Sequence, residues 1–416
     1  MTSFSLAHAP PSLSRRRLLA AGAGLGLGLG LQMWGSRALA ASSRRKFVLV
    51  ILRGAADGLS ITPPVGDGAY VALRRELAIT DTALRLDGDF GLHPELKSVH
   101  RLIGAGQGRF APAVAMPAAG RSHFEAQDRL EAAAGNDVSS GWLNRAMATL
   151  GGGSTPEGLS VGPVAPLVMR GDLATSSWSP GRTVETAARL PMLVQDLYAD
   201  DPLLGPALAR GLKTEVLAQA NLARLAADLP GASGTMNSAK LSRILLGDNR
   251  DAAGRLGGAV AGFMREDGGA DVVAISLDGF DTHANQAGAL SRRLAYLDAM
   301  LAGLESGLGA AWRDTVVLVV TEFGRTARIN GTQGTDHGTA STALLLGGGL
   351  KPGGVIGDWP GLAEPRLFEN RDLASTTDLR SLFKGVLAEH MGLERRALDT
   401  AVFPDSAAAQ PILGLV

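Results

Sequence analysis

Lys46-Phe47-Val48-Leu49-Val50-Ile51-Leu52 is a continuous apolar run rich in β-branched residues, closed by Arg53-Gly54. A strand with water on one face alternates polar and apolar residues. A run without alternation reads as a strand buried on both faces, at the centre of a parallel sheet. Three further runs share this character, at 271–277 (Asp-Val-Val-Ala-Ile-Ser-Leu), 315–321 (Thr-Val-Val-Leu-Val-Val-Thr) and 342–346 (Thr-Ala-Leu-Leu-Leu), with a weaker candidate at 110–116. Helical patterns lie between them, at 93–104, 122–134, 142–150, 287–308 and 377–390. Such alternation predicts an α/β fold, a mostly parallel central sheet with helices on both faces. The stretch 151–162 is rich in Gly, Ser and Pro and reads as loop. Residues 190–266 read as helix after helix with no strand, a helical insertion packed beside the sheet.

The N-terminal segment has three parts: basic Ser14-Arg15-Arg16-Arg17-Leu18-Leu19, a Gly/Leu/Ala run over 20–31, and Ala38-Leu39-Ala40 before Ala41. This is the form of a twin-arginine signal peptide, residues 1–40, cleaved near Ala40. The apolar run is short for a membrane span and is diluted by Gly22, Gly24, Gly26, Gly28 and Gly30, so no retained span is expected. The twin-arginine translocase is then a partner during export, and the protein is periplasmic or otherwise exported. Residues 41–416 are read as one elaborated domain. The chain has no cysteine, so its stability must come from a buried core. Its 40 basic and 40 acidic residues balance, which argues against nucleic acid as a partner.

In open parallel sheets, ligands bind beyond the carboxyl ends of the strands. The first strand is followed by Arg53-Gly54-Ala55-Ala56-Asp57-Gly58, the second by Asp278-Gly279-Phe280-Asp281-Thr282-His283, and the third by Glu322-Phe323-Gly324-Arg325. Gly334-Thr335-Asp336-His337-Gly338 leads into the fourth. Asp281, His283, Asp336 and His337 pair carboxylates with imidazoles and suit zinc, manganese or another divalent metal. The structural alternative is that Asp278 and Asp281 cap the following helix. Asp57 either joins the metal ligands or bonds locally within its turn. Glu322 is a candidate ligand or general base and Arg325 a fork for an anionic oxygen, unless the two form a bracing ion pair. Ser122 is a candidate nucleophile at a helix start. It equally fits an N-cap with Glu125 as capping-box partner. His93 and Asp378 read as helix-entry residues. There is no Gly-x-Ser-x-Gly elbow and no Walker loop.

The ordered set Leu52-Arg-Gly-Ala-Ala-Asp-Gly-Leu59, Arg121-Ser-His-Phe124, Gly141-Trp-Leu143, Asp278-Gly-Phe-Asp-Thr-His283, Thr321-Glu-Phe-Gly-Arg325 and Gly334-Thr-Asp-His-Gly338 resembles the exported bacterial family called domain of unknown function 1501. That family is grouped with the alkaline-phosphatase-like superfamily. The resemblance implies an alkaline-phosphatase-like fold with metals at the strand ends, where Asp57, Asp281, His283 and His337 match ligand places in order. Relatives hold a second metal with an Asp-His pair where this chain has Glu322-Phe323. They also carry a Ser, Thr or Cys nucleophile, for which Ser122 is the candidate. The implied activity is hydrolysis of phosphate or sulfate esters, on an anionic small molecule or an envelope polymer. The alternative is a non-catalytic binding protein on a degenerate hydrolase fold.

Overall fold

The computed structural model describes residues 45–117, 120–135, 139–150, 156–162, 164–180, 198, 201–202, 204–227, 247–266 and 268–416. Residues 1–44, where a twin-arginine signal is expected, and much of 181–246 lie outside the described residues. The eight strands of the main sheet are β1 (Lys46–Leu52), β2 (Gly108–Ala115), β3 (Gly158–Val161), β4 (Ser176–Trp178), β5 (Val272–Leu277), β6 (Thr315–Val320), β7 (Ser341–Leu346) and β8 (Thr377–Asp378). Their spatial order is β8-β2-β7-β6-β1-β5-β3-β4. β1 lies in the interior, parallel to both β5 and β6.

Its apolar run serves two cores because successive side chains point to opposite faces. Val48, Val50 and Leu52 enter one core, and Phe47, Leu49 and Ile51 the other. The first core is covered by α1 (Lys97–Gly104), α4 (Leu204–Ala227), α5 (Arg250–Arg265) and α6 (Gln286–Leu308). The second is covered by α2 (His123–Ala132), α3 (Trp142–Thr149) and α7 (Leu379–Glu389). Between 190 and 266 the described residues hold two helices, α4 and α5. From α5, Ala253, Leu256, Val260, Phe263 and Met264 are buried in the first core. No helix among the described residues is long and apolar enough to cross a membrane.

Two features differ from the sequence reading. The stretch read as loop contains β3, which pairs with β5, and β4 follows it. Four residues, Gly158-Leu-Ser-Val161, are too few to display a period, and their burial comes from the sheet around them. The second difference concerns β7, which runs antiparallel to both β2 and β6. The entry of β7 therefore lies at the same sheet edge as the exits of β1, β5 and β6. That reversal carries the Asp336-His337-Gly338 segment, which precedes its strand, to the loops that follow theirs.

Helix entries follow ordinary capping chemistry. Asp378 accepts from the Arg380 N–H at 2.9 Å at the start of α7. His93 accepts from the Glu95 N–H at 3.2 Å, ahead of α1. In the second core the Trp142 ring stacks on Phe383 at 4.6 Å, and its Nε1–H donates to the Leu130 carbonyl at 3.1 Å. Trp142→Ala should cost about 3–5 kcal/mol, as expected for truncating a fully buried large aromatic. Chemical denaturation measures it, and a loss below about 1 kcal/mol would show that the packing around the ring is dispensable.

Candidate metal centre

The loop after β1 turns sharply at the carboxyl edge. Gly54 has φ +113°, and a side chain there would collide with the backbone of Asp281. Its N–H donates to Glu322 Oε1 at 2.8 Å. Thr321 fixes the same turn, since its hydroxyl donates to the Leu52 carbonyl at 2.7 Å and accepts from the Ala56 N–H at 2.9 Å. The β1, β5 and β6 loops are thereby held in mutual contact.

Three imidazoles converge beside this turn. His123 Nε2 and His337 Nε2 are 3.0 Å apart, and His283 Nε2 is also 3.0 Å from His337 Nε2. The Asp281 carboxylate lies among them. Its Oδ1 is 2.9 Å from His283 Nε2 and 3.2 Å from His337 Nε2, and its Oδ2 is 3.5 Å from His123 Nε2. His123, Asp281 and His337 offer ligand atoms that all lie within 4.8 Å of one another.

The opposite nitrogen of each ring fixes which atoms face inward. His123 Nδ1 meets Glu322 Oε1 at 2.9 Å, His283 Nδ1 meets Asp336 Oδ1 at 3.3 Å, and His337 Nδ1 meets the Arg121 carbonyl at 2.8 Å. Carboxylates and carbonyls only accept, so each Nδ1 carries the proton, and in the neutral ring that a metal would require each Nε2 turns its lone pair into the cluster. Bare lone pairs at this spacing repel unless a cation sits among them. The donor set therefore fits a divalent ion. Oriented neutral imidazoles with one carboxylate, each ring held from behind, are the usual protein ligands of zinc.

Charged neighbours sharpen the arrangement. Burial pushes the Asp281 carboxyl up, but the hydrogen bond and charge of Arg325 outweigh it and hold the group below the usual carboxylate range. Burial likewise opposes ionisation of Glu322, and bonds from His123, the Gly54 N–H and Gln127 bring it below its ordinary value. The Glu322 contact in turn raises His123, against the effect of burial. Asp336 is lowered first by Asn330 and then by His283, with partial burial opposing.

Six of the residues singled out from sequence meet here: Asp281, His283, Asp336, His337, Glu322 and Arg325. Asp336 and Glu322 stand behind the histidines, not among the facing atoms. Glu322 and Arg325 do not pair with each other. Arg325 is buried, with Nη1 donating to Asp281 Oδ1 at 2.6 Å and Nε to Thr335 Oγ1 at 3.1 Å, while Nη2 donates to the Thr335 carbonyl. Neither Asp278 nor Asp281 caps the following helix, which starts at Gln286 behind Asn285.

Asp57, expected among the metal ligands, is drawn elsewhere. Its Oδ2 accepts from Arg74 and from Gln286 Nε2, and from Ser60 Oγ at 2.7 Å, in a pocket that leaves Asp57 and Arg74 essentially unexposed. Seventeen residues of sequence separate this guanidinium from its carboxylate, and nothing in the local pattern announces the pair. Ser122 occupies the N-cap of α2, exposed, without a side-chain capping bond. Glu125 turns to Arg129 at 3.2 Å, so the expected capping box does not form.

His123 is the participant that the sequence reading missed. In sequence it stands beside the nucleophile candidate Ser122, and adjacent helical residues face apart, so its place in the chain does not announce a shared site. The usable signal was its spacing to Gln127, four residues on and on the same helical face. Gln127 Nε2 donates to the same Glu322 Oε1 at 3.1 Å.

The fold and this cluster define an α/β protein with a three-histidine, one-carboxylate centre at the carboxyl edge of its sheet. Residues 98–402 match the family model described as protein of unknown function, DUF1501, and the chain belongs to that family. No curated protein matches the sequence. Among solved structures it is similar to a protein in the alkaline phosphatase superfamily from Vibrio parahaemolyticus, at 11% identity and TM-score 0.34, covering 76% of this chain and 63% of that one. The chain thus spans less than two thirds of that protein. It is also similar to the C-terminal periplasmic domain of EcEptC from Escherichia coli, at 10% identity and TM-score 0.37, covering 88% of each chain. A zinc complex of the same domain matches at 10% identity and TM-score 0.33, over 74% of each chain.

Replacing Arg74 by Leu should destabilise the protein by about 3–5 kcal/mol, because it strands a buried carboxylate. The double change Arg74→Leu/Asp57→Leu should recover much of that loss in urea denaturation. Equal losses in the two variants would show that the pair's charges do not matter to the fold.

Proposed function

We propose that this is an exported, metal-dependent hydrolase of phosphate or sulfate esters with one divalent ion, zinc before manganese, held by His123, Asp281, His283 and His337. The observation that carries the reading is the convergence of His123, Asp281 and His337, whose ligand atoms all lie within 4.8 Å of one another, with His283 beside His337 and Asp281 and each ring held from behind. A divalent cation supplies Lewis-acid polarisation of an ester oxygen and stabilisation of negative charge during attack. Export rests on the twin-arginine signature of residues 1–40.

The chain's own residues have separable tasks. Glu322, Asp336 and the Arg121 carbonyl set the tautomer and direction of the histidines. Arg325 positions Asp281 and keeps it ionised, a different task from binding the substrate's anion. Ser122 is the nucleophile candidate. Its hydroxyl has no capping bond, and its chain neighbours on both sides enter the site, Arg121 through its carbonyl and His123 through its ring. Asp57, neutralised by Arg74, leaves one metal as the expected content.

A binding protein without turnover is the second reading. Arg325 is committed to Asp281, and Arg121 to Glu369 at 2.6 Å and Asp372 at 2.7 Å, so neither guanidinium is free to grip an anion.

Elemental analysis of protein purified without chelator should find about one zinc per chain, and His337→Ala should remove it. Glu322→Gln should weaken zinc binding by about 10–100-fold while leaving the fold intact, the usual effect of losing a carboxylate behind a ligating histidine. Unchanged zinc content in His337→Ala would overturn the ligand assignment. Activity should be sought on phosphomonoesters, phosphodiesters and sulfate esters. Ser122→Ala should abolish it with zinc retained, and full activity in that variant would point instead to direct attack by water.

A further inference from the structure

The loops that carry the metal-facing residues are tied together by a side chain that takes no part in the cluster. Gln286, the first residue of α6, is buried. Its Oε1 accepts from Thr335 Oγ1 at 2.6 Å and from Thr282 Oγ1 at 2.9 Å. Thr282 stands between Asp281 and His283, and Thr335 directly precedes Asp336 and His337. One amide oxygen therefore clamps the loop after β5 to the entry of β7. Both threonines are buried, so water does not compete for these bonds.

The direction of these bonds is set from outside the cluster. Gln286 Nε2 faces Asp57 Oδ2. A carboxylate only accepts, so the amide nitrogen points to Asp57 and the amide oxygen away from it, and both threonine hydroxyls must donate to that oxygen. With its single proton committed, Thr335 Oγ1 accepts from Arg325 Nε at 3.1 Å. Arg325 in turn donates through Nη1 to Asp281 Oδ1 at 2.6 Å. The order Asp57, Gln286, Thr335, Arg325, Asp281 is thus a buried chain of one polarity, with Arg74 as the counter-ion at its far end. Asp57 Oδ1 and Arg74 Nε are themselves buried without a hydrogen-bond partner among the described residues. An ion pair left incomplete in this way is a poor device for stability alone.

We propose that Gln286 and Thr335 are positioning residues of the metal centre. With the Asp57–Arg74 pair as their fixed end, they hold Arg325 in the orientation that presents Asp281 to His283 and His337, and they set the spacing of the two ligand-bearing loops in advance. The purpose of the chain rests on the metal-centre reading; its existence does not. Asp57 thereby has a task at the site without facing it. Loops ordered beforehand have less freedom to lose when a ligand binds, so the chain raises affinity without touching the ion.

Thr335→Val removes the hydroxyl at nearly constant shape, and Thr335→Ser restores it. In competition with a chelator on the full chain, Thr335→Val should bind zinc about 10-fold more weakly, the lower end of the effect of removing a partner behind a metal ligand. Thr335→Ser should bind it like the unaltered protein. Asp57→Leu/Arg74→Leu should weaken zinc to a similar degree, because the Gln286 amide is then free to turn. A readout that needs no metal is solvent exchange of the Arg325 Nε–H in zinc-free protein, its NMR signal assigned by its loss in Arg325→Lys. Thr335→Val should speed that exchange at least about tenfold, the factor one hydrogen bond to a charged group provides. Unchanged zinc affinity in Thr335→Val overturns the positioning role, whatever happens to stability, and an unchanged exchange rate overturns the chain itself. Faster exchange in a protein that never binds zinc supports the chain and sinks the metal reading alone.

Discussion

The carboxylate of Glu322 is the point through which the carboxyl edge of the sheet is organised. It is buried and accepts from the Gly54 N–H, His123 Nδ1 and Gln127 Nε2. It thereby ties the end of β6, from which it projects, to the turn after β1 and to helix α2. A buried carboxylate without such partners would be neutral and would not hold three elements together. With them it stays ionised, and the same contacts that stabilise its charge fix the direction of His123. Phe323, the next residue, adds the apolar floor, stacking beneath His123 at 5.1 Å and lying 5.1 Å from His337. One dipeptide at a strand end therefore supplies both the polar anchor and the surface on which two rings rest.

Much of the fold was legible because two-faced burial writes itself into composition. β1 begins and ends where its apolar run does, and β5, β6 and β7 lie within a residue of theirs. Short strands leave no such mark: Gly158-Leu-Ser-Val161 and Ser176-Ser-Trp178 are strands because a neighbour offers them a ladder. The direction of β7 was not legible either, since a run buried on both faces reads the same in both orientations.

The site was half legible for related reasons. Asp281, His283 and His337 stand next to strand ends, where position alone gives them weight. His123 enters from a helix, and only the folded chain shows that α2 turns it toward the sheet. Asp57 has a strand-end position as good as any, yet its partner Arg74 arrives from a separate helical turn and supplies its counter-ion. Position at a strand end identifies which side chains reach the edge; it does not say which of them already have a counter-ion.

The placement of β1 has a consequence for how the molecule is made. It is the first strand of the sheet in chain order, yet Phe47 pairs with Val272 and Lys46 with Thr315. β1 therefore has no local partner, and it must wait, unpaired and strongly apolar, until most of the polypeptide has been synthesised. Contacts of such sequence separation fold slowly and expose sticky edges meanwhile. A chain of this topology depends on protection during biogenesis and gains from being completed before it is moved anywhere.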